Sequence, residues 1–354
     1  MLGKTLLIRT DASAEIGAGH VMRCLALAQA WQRSGGRAIL AFAAGAELEE
    51  RIRSEGADVA RIQARPGSRG DAVQTSDLRA RLQADWLVLD GYHFSADYRR
   101  SMQSATSRLL LVDEGAELQP GEWDVVVNPD PDASAEMYSR PDGRTQYLVG
   151  PQYALLRREF LEFRREQSEV AEKAQRVLIT FGGGDSHNVT LQVVQALQDL
   201  EDLNLDVTVV AGVSYQHLAS LQAAVDGSSQ GATLLWNVEK MPQLMSRADL
   251  AITAGGGTCY ELAFMRVPMF LITMAKNHER AVGAYTAAIA AVDAGWFSSL
   301  ERSTLAALLR RVICDRELRK RLVENAGSMV DGKGAERVVE TMHAICERGT
   351  KVTA

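Results

Sequence analysis

At 354 residues the chain is long enough for two domains of ordinary size, each able to bury its own core. Its 46% hydrophobic and 24% charged residues exclude a disordered or fibrous protein. The formal charge of -6 argues against a surface that tracks nucleic acid or anionic membrane, which needs clustered Lys and Arg, so an anionic ligand would have to be held by local donors.

The start of the chain has only a brief apolar run before Arg9 and Asp11, too short for a signal sequence, and reads as a first strand. Residues 5–8 form that run, and the loop Gly17-Ala18-Gly19-His20 follows. Residues 21–33 then carry apolar side chains at helical spacing, with Val21, Leu25, Ala28 and Trp31 on one face. Further strands are expected at 38–42, 59–62, 86–90, 109–112 and 125–127, with helices at 48–54 and 78–82 and a turn at 66–71. Three of the apolar runs close on polar residues. Asp90 precedes Gly91-Tyr92-His93, Asp113 precedes Glu114-Gly115, and Asn128 precedes Pro129.

Continuous apolar strands alternating with helices indicate a parallel sheet covered on both faces, and such sheets bind ligands at the carboxyl ends of their strands. Chain order therefore puts Asp11, His20, Asp90, Tyr92, Asp113 and Asn128 along one rim.

Residues 155–167, with Arg and Glu interleaved, read as a linker helix. A second series of the same kind follows, with strands at 177–181, 205–211, 233–236, 250–253 and 268–272 and helices at 189–200, 215–225, 241–245 and 259–265. Lys276-Asn277-His278-Glu279 opens another helix, and 303–348 is helical almost throughout. The expected fold is α/β with two parallel-sheet domains, 1–152 and 170–345.

No stretch approaches the roughly 18 uncharged apolar residues of a spanning helix; residues 262–274 are interrupted by Arg266 and Pro268. Cys24, Cys259, Cys314 and Cys346 are widely separated, without a CxxC pair or a histidine at zinc-ligand spacing. They are expected to be reduced and buried, in a cytoplasmic protein, and no metal is indicated.

Several stretches carry chemistry. Gly17-x-Gly19 after the first strand invites a dinucleotide reading, which fails twice. Met22 stands where the third glycine belongs, and the second strand runs into Phe42-Ala43-Ala44-Gly45 without a ribose-binding acid. The loop instead positions His20, whose imidazole can accept a proton at neutral pH as a general base; the plain alternative is a histidine that caps its helix. Arg23 reads equally as an anion contact or a surface residue. In the second half, Gly255-Gly256-Gly257-Thr258 offers bare amides at a helix start, suited to a phosphate. Glu261, one turn on, is placed to accept ribose hydroxyls or to be a solvated helix residue. The loop from Gly182 through Gly183 to Asn188 is a second, weaker candidate for an anion or sugar. Asn277 reads as a helix N-cap, and Tyr92 as a pocket wall or a hydroxyl contact.

These stretches resemble a known family. Arg9-x-Asp11-x-Ser13-x-x-Ile16-Gly17-x-Gly19-His20-x-x-Arg23-Cys24 is similar to the opening signature of the PseG family, UDP-sugar hydrolases of pseudaminic acid biosynthesis. Agreement continues in Gly150-x-x-Tyr153-x-x-Leu156-Arg157, Gly182-Gly183-Gly184-Asp185-x-x-Asn188, Gly255-Gly256-Gly257-Thr258-x-x-Glu261, Pro268 and Asn277, covering most of residues 4–295. The resemblance implies a GT-B architecture like that of MurG, with two Rossmann-like domains facing across a cleft and UDP held mainly by the second. The activity it implies is hydrolysis of UDP-2,4-diacetamido-2,4,6-trideoxy-β-L-altropyranose to UDP and free sugar, with C–O cleavage and inversion at the anomeric carbon and no cofactor. It places the family's catalytic histidine at His20, its tyrosine at Tyr92 and its late asparagine at Asn277. Asp11, Gly19, Arg23, Gly183, Asn188, Gly256, Gly257, Thr258 and Glu261 complete the expected substrate contacts. The helical tail beyond about residue 297 departs from the smallest members of that family. A MurG-like glycosyltransferase and a non-catalytic nucleotide-sugar-binding protein are the alternatives.

Overall fold

A computed structural model describes residues 4–13, 17–45, 48–103, 108–113, 123–138, 144–163 and 169–351. Ile16, Glu114, Gly115 and residues 164–167 of the expected linker helix lie outside the described residues. The chain divides into two compact units, Met1–Arg158 with Gly332–Ala354, and Glu159–Asp331.

The first unit is built on β1 (Thr5–Thr10), β2 (Arg37–Phe42), β3 (Asp58–Arg61), β4 (Trp86–Asp90), β5 (Arg108–Val112), β6 (Val125–Asn128) and β7 (Gln146–Val149). They form one parallel sheet in the order β3-β2-β1-β4-β5-β6-β7. Its first helices are α1 (Gly19–Arg33), α2 (Glu49–Ser54), α3 (Arg69–Leu82) and α4 (Ala96–Ser101). β4 and β6 are buried along their whole length, as their unbroken apolar runs require of strands covered on both faces. The strand order reverses between β1 and β4, so the chain winds outward in both directions from that pair.

After α5 (Arg158–Glu162), the second unit repeats the plan with β8 (Arg176–Thr180), β9 (Asp206–Ala211), β10 (Gly231–Trp236), β11 (Leu250–Thr253), β12 (Met269–Thr273) and β13 (Val292–Trp296). These are parallel in the order β10-β9-β8-β11-β12-β13, with the reversal between β8 and β11. Its helices are α6 (Val189–Gln198), α7 (Leu218–Asp226), α8 (Met241–Arg247), α9 (Thr258–Phe264), α10 (His278–Ala287), α11 (Arg302–Cys314) and α12 (Arg316–Met329).

The last helix, α13 (Gly334–Lys351), belongs to the first unit. Its Ala335, Val338, Val339, Met342 and Cys346 enter the same core as Leu27 and Trp31 of α1, at the three- and four-residue spacing of one helix face. The Trp31 and His343 rings stack with centroids 4.8 Å apart, and the Trp86 indole N–H donates to Cys346 Sγ at 3.3 Å. A second domain running to 345 therefore takes in a segment whose contacts lie with the first. An amphipathic face declares that it will be buried, but not against which core.

Other differences have local causes. α3 begins at Arg69, inside the expected turn, because Ser68 caps it by accepting from the Asp71 amide at 3.2 Å, while its polar composition hides the helical period. The expected helix at 155–167 is, among the described residues, only the short α5. β7 and β13 are partly exposed strands without an unbroken apolar run. All four cysteines are free, and Cys314, expected to be buried, is exposed.

Candidate active site

β1 and β4 are neighbours, with Thr10 opposite Asp90, so their carboxyl ends meet at the reversal point of the first sheet, where open α/β sheets hold ligands. α1 starts there too, and places His20 in its first turn with Arg23 three residues on, on the same face. His20 is buried, at 6% exposure, and its Nδ1 lies 2.6 Å from Asp90 Oδ1. Arg23 grips the same carboxylate twice, Nε to Oδ2 at 2.7 Å and Nη2 to Oδ1 at 2.6 Å, and Cys24 Sγ donates to Oδ2 at 3.3 Å. Tyr92, 59% exposed, sets its ring edge-on to His20 at 4.8 Å. Burial alone pushes the Asp90 carboxyl up, but the Arg23 guanidinium and His20 outweigh it and hold the group well below the usual carboxylate range. Burial and the Asp90 charge push the neighbouring Cys24 thiol up, which keeps it protonated.

Asp11 is different from its expected role as a substrate contact. It is fully enclosed, with Oδ1 accepting the amides of Ala43 and Ala44 at 2.7 and 2.9 Å. Oδ2 meets Arg9 at 2.7 Å and His93 Nε2 at 2.8 Å. The carboxylate ties the loop after β2 and the loop after β4 to the end of β1. Behind it, buried Arg9 makes a two-point contact with Asp71 at 3.0 and 2.7 Å, and Tyr98 donates to the same Asp71 at 3.0 Å. Gly91 lets His93 fold back onto Asp11, because a Cβ there would come within 2.6 Å of the imidazole. Arg23, expected as a substrate contact, sets Nε and Nη2 of its guanidinium on Asp90. Gly19 opens α1, and a Cβ added there would meet no other described part of the chain within 4 Å. Asp113 and Asn128, expected on the same rim, are linked through the Tyr138 hydroxyl, which donates to Asp113 and accepts from Asn128, both at 2.9 Å.

In the second unit both glycine loops follow adjacent strands, β8 and β11, at that sheet's reversal point. They are not equivalent. Asp185 closes the start of α6, accepting from the Val189 and Thr190 amides at 3.0 and 2.7 Å and from the Thr190 hydroxyl at 2.8 Å. The Gly183 carbonyl accepts from the Ser214 amide, and the Tyr215 hydroxyl donates to Asn188 Oδ1 at 2.5 Å. The Val189 and Thr190 amides at that helix start thus already have an anion in Asp185, while Gly183 and Asn188 are tied to Ser214 and Tyr215. In the loop ahead of α9, Gly257 is the N-cap residue and has no side chain of its own to cap the helix. Gly256 and Thr258 are half-buried, Gly257 is exposed, and Glu261 lies in the first turn of the helix. Gly255 has to be glycine for packing, since a Cβ would sit 2.5 Å from Val282 Cγ2 and 3.2 Å from His278 Cβ of α10. Asn277 occupies the N-cap position of α10, yet its side chain makes no capping bond and is exposed.

Sequence reasoning noted Asp90 on the rim without connecting it to His20, and it missed the buried Arg9–Asp71 pair. The available signal was an arginine within an apolar strand, a position that demands a buried partner. Among the described residues no group of three or more His, Cys, Asp or Glu is arranged to hold a metal ion. Nor is any helix among them long and apolar enough to cross a membrane.

Comparison with known proteins bears on both units. A family model for the glycosyltransferase family 28 C-terminal domain matches residues 176–340. An uncharacterized protein of Methanocaldococcus jannaschii is 26% identical over 274 residues, 75% of this chain but only 55% of that protein. The spore coat polysaccharide biosynthesis protein SpsG of Bacillus subtilis is 24% identical over 346 residues, covering 96% of this chain and 98% of its own. The UDP-2,4-diacetamido-2,4,6-trideoxy-beta-L-altropyranose hydrolase of Campylobacter jejuni is 24% identical over 278 residues, covering 77% of this chain and 93% of its own. Among solved structures, MurG of Acinetobacter baumannii superimposes with a TM-score of 0.67 at 17% identity over 96% of this chain and 99% of that one. The protein thus has the α/β fold of two Rossmann-like parallel-sheet units found in GT-B glycosyltransferases such as MurG.

Proposed function

We propose that the protein hydrolyses a UDP-linked 2,4-diacetamido-2,4,6-trideoxy sugar, with His20 activating the water. The observation that carries this reading is the His20–Asp90 pair at the reversal point of the first sheet, a base with a buried carboxylate behind it. The relationship to the C. jejuni hydrolase supports the substrate class. The family 28 match over 176–340 supports a nucleotide sugar held by the second unit, with the loop from Gly255 to Thr258 on the phosphates and Glu261 on the ribose. Asn277 and Tyr92 contact the sugar in this reading.

Water attacks the anomeric carbon, the bond from that carbon to the phosphate oxygen breaks, and His20 takes the proton. Attack opposite the leaving group inverts the configuration. UDP departs with the bonding electron pair on a phosphate oxygen that its other oxygens stabilise, so the reaction does without the second carboxyl that glycosidases use to protonate a poor leaving group. What it needs is a base for the water and donors for the charge developing on phosphate.

The same family 28 match favours a second reading, transfer of the sugar to an acceptor hydroxyl with His20 as base. Product analysis separates the two. The full chain, incubated with the purified UDP-sugar and no acceptor, should release UDP and free sugar in equal amounts, with C–O cleavage shown by 18O from labelled water entering the sugar. Strict dependence of UDP release on an added acceptor would refute hydrolysis.

A further inference from the structure

We propose that Asp90, clamped by Arg23, positions His20 as its Nδ1–H tautomer and so leaves the Nε2 lone pair to take the proton. The inference rests on the reading of His20 as the base, and it makes Asp90 and Arg23 positioning residues rather than substrate contacts.

Two groups compete for one atom. His20 Nδ1 is 2.6 Å from Asp90 Oδ1 and 2.9 Å from Arg23 Nη2, and a ring nitrogen either donates or accepts. Were Nδ1 unprotonated, its lone pair would face a carboxylate oxygen at 2.6 Å with nothing between them. Asp90 is fully buried and held ionised, so the proton between the two atoms belongs to the imidazole. The Arg23 contact is then a close approach only, and its Nε–H and Nη2–H serve the same carboxylate.

Asp90 is saturated by this arrangement. Oδ1 accepts from His20 and Arg23, and Oδ2 from Arg23 Nε and Cys24 Sγ. Neither oxygen is left to draw the imidazole elsewhere, and the Asp90 and Arg23 charges offset each other. The arrangement comes from the fold: β4 ends on Asp90 beside β1, and one turn of α1 carries His20, Arg23 and Cys24 onto it. Among the described residues, the titratable and charged groups set against His20 in these contacts are Arg23 from α1, Asp90 from β4 and Tyr92 from the loop that follows, with Cys24 of α1 reaching Asp90.

Removing the two partners should move His20 in opposite directions. Asp90→Asn takes away the charge that favours imidazolium and leaves an amide whose NH2 can donate to Nδ1 where the carboxylate only accepted. Arg23→Gln removes the cation that opposes imidazolium. The test uses the full chain labelled with 15N-histidine, followed by long-range 1H–15N correlation from about pH 5 to about pH 9, with the His20 signals identified by their loss in His20→Gln. Expected are an Nδ1–H wild type, a midpoint lowered by about one unit and a shift toward Nε2–H in Asp90→Asn, a midpoint raised by about one unit in Arg23→Gln, and recovery in Arg23→Lys. An Nε2–H wild type overturns the proposal, as do midpoints that move together or not at all. Should Asp90→Asn not fold, the wild-type tautomer and the two Arg23 variants decide. In turnover, Asp90→Asn should lower kcat at least about 100-fold with KM changed less than about threefold. The spectra need no substrate, so a protein inactive as a hydrolase leaves the tautomer assignment standing, while an active hydrolase with Nε2–H overturns this inference alone.

Discussion

A general base contributes about 100- to 10,000-fold to a step that needs proton transfer. His20→Ala should therefore lower turnover at least about 100-fold, while UDP binding, assigned to the second unit, survives in calorimetry; unchanged turnover would remove His20 as the base. The carboxylates behind it make a separate claim about stability. Burial raises the Asp11 carboxyl, but His93, Arg9 and the Ala44 and Ala43 amides together hold it below its ordinary value, and Asp90 is displaced in the same direction. Both groups bind protons more weakly folded than unfolded. Their stabilisation is present above the ordinary aspartate value of 3.8 and is lost as pH falls below it toward the folded values. Urea midpoints measured from neutral pH to about pH 3 should fall steeply in that acid range. Asp11→Ala leaves buried Arg9 with Asp71 as its one remaining carboxylate among these contacts and removes the oxygen that faces His93; it should cost about 3–5 kcal/mol at neutral pH and flatten the acid limb. An acid limb as steep as that of the wild type would show that Asp11 does not contribute to it.

Loops at strand ends decide what each helix start is free to do. α6 and α9 both follow glycine loops on neighbouring strands; Asp185 accepts the first amides of α6, while the N-cap residue of α9 is a glycine with no side chain to do so. Within the second loop the glycines divide by what surrounds them. A methyl at Gly255 meets Val282 and His278, whereas Gly257 has nothing within 4 Å and already has helical backbone angles. Gly255→Ala should cost about 1–3 kcal/mol by overpacking and weaken UDP binding as α10 is pushed back. Gly257→Ala should change stability by no more than about 0.5 kcal/mol. Thermal unfolding of the two variants side by side checks this, and equal losses would mean that the contact with α10 is not what fixes Gly255.

Over the whole molecule, the chain leaves the first unit after Arg158 and returns to it at Gly332, so the first unit is completed last. Val338, Val339 and Met342 are each buried in its core, and a fully buried side chain of this size contributes about 1.5–3 kcal/mol. Their sum is comparable with the net stability of a domain. Deletion of residues 332–354 should expose the first unit to limited proteolysis and leave peptides of the second protected, whereas truncation after 345 should be milder. Equal protection of the first unit in the longer deletion would show that α13 is dispensable to it. The sequence by itself determined the alternation of buried strands and helices, the two parallel sheets, the glycine loops and His20, because unbroken apolar runs, helical spacing and glycine at strand ends are local signals. It left short polar helices such as α3 and half-exposed strands such as β13 unread, because neither carries an apolar period. Only the tertiary structure decided that Asp90 stands behind His20, that Arg23 reaches Asp90 and Asp11 reaches Arg9 and His93, that Asp185 takes the first amides of α6, and that α13 belongs to the first unit. Each of these depends on which distant side chain satisfies a buried charge or covers an apolar face, and spacing along the chain does not carry that information.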